Sequence, residues 1–147
     1  MHFLHLLSFL LLIGVANPGR TQPHPLTGFW TGYLTQEEGG YRPRYRFEMT
    51  LEQSGSTVTG ISFSRIDTIF AEMKVKGTIS GNTLQFSETG LSRFSPLKNM
   101  SWCLKSGQLQ LSQKGKHWVL EGSWHGKSAE GACVPGKIYL VKSTPRA

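Results

Sequence analysis

The segment Pro43-Arg44-Tyr45-Arg46-Phe47-Glu48-Met49-Thr50-Leu51-Glu52-Gln53 alternates without a break. Tyr45, Phe47, Met49 and Leu51 share one parity, and Arg44, Arg46, Glu48 and Thr50 share the other. A period of two puts the first set on the covered face of an extended strand and the second on its solvated face. The same signal returns further along. Ala71, Met73, Val75 and Ile79 alternate with Glu72, Lys74, Lys76 and Thr78, and Trp118, Leu120 and Trp124 share a face opposite His117, Glu121 and Ser123.

Working outward, strand signals cover residues 29–36, 43–53, 56–66, 70–79, 83–89, 102–112, 117–124 and 136–142, and nothing reads as a helix. Three connections carry hairpin chemistry: Ser54-Gly55, Ser80-Gly81-Asn82 and Gln113-Lys114-Gly115-Lys116. The others, 37–42, 67–69, 90–101 and 125–135, are mostly longer. In a meander these two sets lie at opposite ends, so one end is pinched and the other is ringed by loops, where binding residues concentrate. Closure removes the free edges that an open sheet would leave. The expected fold is all-β, an eight-stranded antiparallel up-and-down barrel. A β-sandwich is the alternative, and the consecutive hairpins argue against its crossings.

Residues 1–16 form an apolar run ending in Gly14-Val15-Ala16, which suits a signal peptide, although no Lys or Arg precedes the run. Residues 17–26 are Pro-rich and polar and read as a flexible tail or linker. The barrel domain is expected over 27–142, with a C-terminal tail at 143–147. No second hydrophobic run suggests a transmembrane segment. The expected location is outside the cell or in the periplasm, as a monomer. Two cysteines in an exported chain favour one disulfide, Cys103 to Cys133, both at the loop-ringed end of the meander.

The net charge is +7. Arg42, Arg44 and Arg46 line one outer strand face, but the interleaved aromatics point the other way, so nucleic-acid stacking is not expected. His117 and His125 are about 26 Å apart along a strand, too far for one metal. Asp67 is the chain's only Asp, and no Ser sits in a nucleophile elbow. Glu37 and Glu38 have no oriented partner. Neither catalysis nor a cofactor is expected. Asn99-Met100-Ser101 fits a glycosylation acceptor.

Parity also points inward. In residues 56–66 the apolar positions change from Val58 to Ile61 and Phe63, which suggests a bulge at Gly60 and places Arg65 on the inner face. Leu84 and Phe86 place Glu88 on the inner face as well. Arg65 and Glu88 are therefore expected at the mouth, paired or meeting a ligand, with Tyr45 and Trp124 as apolar walls.

Gly28-Phe29-Trp30 opens the first strand of this meander. A Gly-x-Trp at that place in an exported chain of this size resembles the calycins: lipocalins, avidin-like barrels and bacterial lipocalin-like domains. The resemblance implies a barrel floor built on Gly28, Trp30 and Trp118. It also implies a small apolar or amphipathic ligand held in the cup. The Thr-Asp-Tyr-type motif of typical lipocalins is missing, and the late Arg beside the Trp is at best replaced by Lys137 or Lys142. Bacterial barrel inhibitors of secreted proteases look similar, so the alternative is a protein-binding module.

Overall fold

In the computed structural model, which describes residues 25–144, the alternating segments form one antiparallel sheet that closes on itself. The strands are β1 (Gly28–Thr35), β2 (Arg44–Ser54), β3 (Thr57–Ile66), β4 (Ile69–Ser80), β5 (Thr83–Phe94), β6 (Leu104–Lys114), β7 (His117–Ser128), β8 (Gly131–Ala132) and β9 (Gly136–Lys142). Each of β1 to β7 pairs with the next, and β9 lies between β7 and β1. Eight strands thus make the barrel, while β8 is a two-residue flank on β7. The expected meander is present, and the sandwich is excluded. The leader at 1–16 and all but the last two residues of the 17–26 linker lie outside the described residues, as do 145–147.

The short hairpins mark one end. Gly55, Gly81 and Gly115 each adopt a left-handed φ near 60°, the conformation these tight turns demand. The core lies above them: Trp30, Phe47, Met49, Leu51, Val58, Val75, Leu84, Phe86, Leu109, Leu111, Leu120 and Leu140 are all buried. Trp30 is fully buried, as expected for the floor, and its indole N–H donates to the Leu26 carbonyl at 2.9 Å. Trp118 packs against the core but is only partly buried. Gly28 sits at φ 137°, where a Cβ would fall 2.9 Å from the Lys142 side chain. Leu26, which the sequence puts in the linker, is instead a buried plug. Its N–H donates to Gln53 Oε1 at 3.2 Å, and Lys142 Nζ donates to the Pro25 carbonyl at 2.7 Å.

The expected bulge at Gly60 is absent. The β2–β3 register runs unbroken from Ser54↔Thr57 to Arg46↔Arg65. Gly60 marks a close approach instead, because a Cβ there would lie 2.0 Å from the Thr50 carbonyl oxygen. The inner face of β3 therefore stays with Val58, Ser62 and Ser64, and Arg65 points outward. The irregularities fall on β5, where its register with β4 shifts at Glu72/Met73 and at Lys74/Val75. Beyond Ser87, β5 leaves β6 and continues along β4 alone to Phe94.

Candidate functional site

The end opposite the hairpins carries the β1–β2 loop, the tight Asp67-Thr68 turn, the β5–β6 loop and the connection from β7 through β8 to β9. A cavity of about 140 Å³ opens here. Strand residues Leu34, Tyr45, Ser64, Ile66, Lys105 and Trp124 contribute to its lining. The loops add Tyr41, Leu97, Met100 and Trp102. The disulfide holds this end together, with Cys103 bonded to Cys133 at a Cα separation of 6.3 Å, within the usual range. It ties the β5–β6 loop to the segment between β8 and β9. An intramolecular disulfide fits an extracellular or periplasmic protein.

Beneath the cavity lies a charged pair. Glu88 and Lys105 are 2.9 Å apart with side chains 0% and 5% exposed. Glu88 Oε1 accepts from the Ser62 hydroxyl, and Oε2 accepts from the Lys105 backbone N–H at 2.8 Å. The Lys105 ammonium also reaches the Cys103 carbonyl at 3.4 Å and Met73 Sδ at 3.7 Å, and it lies 5.5 Å from the Phe47 ring centroid. A buried charge survives only with this density of partners.

The structure brings Tyr45 and Trp124 into one cavity lining, and it puts Glu88 just below through Lys105. Arg65 does not join them. It is exposed, and its Nε donates to the Asp67 carbonyl at 2.8 Å, so it belongs to the outer surface of the turn. The expected Arg65–Glu88 pair is replaced by Lys105–Glu88. The signal for Lys105 was present: the odd parity of Leu109 and Leu111, carried back through Gly107, reaches it. Ser62 and Ser64 carry no such signal, since serine reads equally well on either face.

The polar atoms of the lining are mostly occupied. Tyr45 donates to Gln36 Oε1 at 2.7 Å, and burial is the main cause that pushes its phenol above the usual tyrosine value. The indole N–H of Trp124 donates to the Thr35 carbonyl and that of Trp102 to the Ser95 carbonyl, both at 2.9 Å. Ser101 donates to Glu130 Oε1 at 2.9 Å. The arrangement suits retention of an apolar body.

Among the described residues no group of His, Cys, Asp and Glu is placed to hold a metal ion. No helix among them is long and apolar enough to cross a membrane. No family model matches the chain, and no curated protein matches it in sequence.

Proposed function

We propose that the protein is a secreted, lipocalin-like barrel that binds a small apolar or amphipathic molecule at its open end, without turnover. The observation that carries this reading is the cavity at the loop-ringed end, concave, mostly apolar and furnished with a few polar atoms, as small-molecule sites usually are. Residues 1–16 and the disulfide support an exported protein. The barrel and Gly28-Phe29-Trp30 support a calycin-like kinship. The packed core below the cavity limits the ligand to a small molecule or to one end of a longer one.

Native mass spectrometry of the purified protein tests the reading. The expected result is a small-molecule mass that leaves on denaturation, together with quenching of tryptophan fluorescence when single-ring apolar probes are added. Bare polypeptide and unchanged fluorescence across such probes would overturn it.

A protein-binding role draws support from another face. Phe29, Ile61 and Phe63 line a shallow outer depression with Glu48, Thr50 and Glu72, and Phe63 stacks on Phe70 with centroids 5.8 Å apart. Ile61 is 41% exposed there. Under this alternative, Phe29→Ser with Ile61→Ser abolishes capture of a secreted protein and leaves probe binding at the cavity intact.

A further inference from the structure

Around the cavity, one buried polar side chain has no partner. Tyr45, Trp102, Trp124, Ser101 and Lys105 all have acceptors within the protein. The Ser64 hydroxyl has none, although the residue is only 4% exposed and lies on the cavity lining. Buried polar groups are nearly always paired, and this orphan sits in the cavity wall, where a turn about the Ser64 χ1 would offer it to a bound molecule as the missing partner.

Resting on the ligand-binding reading above, we propose that the cup recognises an uncharged single ring bearing one hydroxyl, which hydrogen-bonds to Ser64 Oγ. Size sets the ring. A dry apolar cavity of about 150 Å³ accommodates benzene, and this one is of that order. The lining supplies aromatic and aliphatic surface on several sides through Tyr45, Trp102, Trp124, Leu34 and Ile66.

Charge balance sets the neutrality. Lys105 is the cation of the lining, and Glu88 already neutralises it at 2.9 Å. A carboxylate entering the cup would lose its hydration next to an ion pair that has no free charge to offer. The hydroxyl is assigned to Ser64 because that side chain can both donate and accept, while the other buried polar side chains of the lining are engaged.

The test is calorimetric titration of the full folded protein with 4-ethylphenol, ethylbenzene and 4-ethylbenzoate. Wild type is expected to bind 4-ethylphenol about two- to tenfold more tightly than ethylbenzene, the worth of one net hydrogen bond. It is expected to bind 4-ethylbenzoate more weakly than either. Ser64→Ala should abolish the preference for the phenol while keeping the affinity for ethylbenzene, which also reports an intact cup. Ser112→Ala removes another unpartnered buried hydroxyl, one that does not line the cavity, and should change nothing. Equal affinity of wild type for phenol and hydrocarbon, a preference that survives Ser64→Ala, or tighter binding of the benzoate overturns this inference and leaves the cup a binding site. Failure of all three probes to bind overturns the ligand-binding reading with it.

Discussion

Glu88 and Lys105 face each other one position beyond the last β5–β6 main-chain pair, Ser87 with Ser106, and a side chain continues what the backbone ladder leaves off. The Glu88 carboxylate accepts the Lys105 backbone N–H that β5 no longer serves, and it holds the ammonium of the same residue. One carboxylate thus closes the β5–β6 seam under the cavity.

Removing one partner of this pair should be costly. Glu88→Gln keeps one acceptor, for the Lys105 N–H, and turns a donor NH2 to the Ser62 hydroxyl, but it strands a buried ammonium, and about 3–5 kcal/mol of stability should be lost. Adding Lys105→Met should recover part of that loss. Urea denaturation of both single variants and the double variant checks this. A double variant as unstable as the sum of the singles would mean that the charges are not coupled.

Trp30→Ala should cost about 3–5 kcal/mol, since it empties a fully buried site and strands the Leu26 carbonyl. Trp118→Ala, at a partly buried position, should cost clearly less. Thermal unfolding of the two variants side by side gives the ordering, and a reversed order would contradict the floor assigned to Trp30.

Replacing both Cys103 and Cys133 by Ala should destabilise the fold by about 3.6 kcal/mol, the loop-closure entropy of a 30-residue separation. The β5–β6 loop should also loosen, visible as faster amide exchange in residues 95–102 than in the closed-end hairpins. Unchanged exchange there would show that other contacts hold this loop.

Glu130 provides a pH-dependent contact at the same place. Hydrogen bonds from Ser101, then Ser128, hold its carboxyl below the ordinary glutamate value. A depressed folded-state value means that the contribution is present above the unfolded value and is lost as pH falls through the folded one. Carbon-detected NMR titration should therefore show a Glu130 midpoint below that of an ordinary glutamate, and Ser101→Ala should move it back up.

Arg65→Ser should leave stability within about 0.5 kcal/mol of wild type and leave probe binding unchanged, because the guanidinium lies on the outer surface. A marked loss of binding in this variant would place Arg65 at the ligand after all.

The strands were legible because a closed barrel with one wet face imposes strict alternation, and β2 and β4 follow it almost residue by residue. Tyr45, Glu88 and Trp124 were legible for the same reason. Apolarity alone would put Ile61 and Phe63 inside and carry Arg65 in with them. They lie on the outside of the barrel, where Phe63 gains cover by stacking on Phe70. The inner positions of that strand hold small serines, which carry no hydropathy signal. Trp102 is expected at the start of the 102–112 strand, but β6 begins only at Leu104, so alternation gives no indication of which way its side chain folds back. Leu26 was hidden by its polar, proline-rich neighbours.

The seam between β1 and β9 has a consequence during synthesis. Trp30 pairs across it with Lys142, so the first strand finds its second neighbour only after the last has left the ribosome. At ordinary elongation rates that interval is on the order of ten seconds. During it, β1 through β7 can form at most a curled sheet, with one flank of β1 open to any other unfinished chain. The vulnerable species is thus the nascent chain, and a holdase or translocation machinery that shields β1 until β9 arrives would protect this barrel more than any later stabilisation of its finished form.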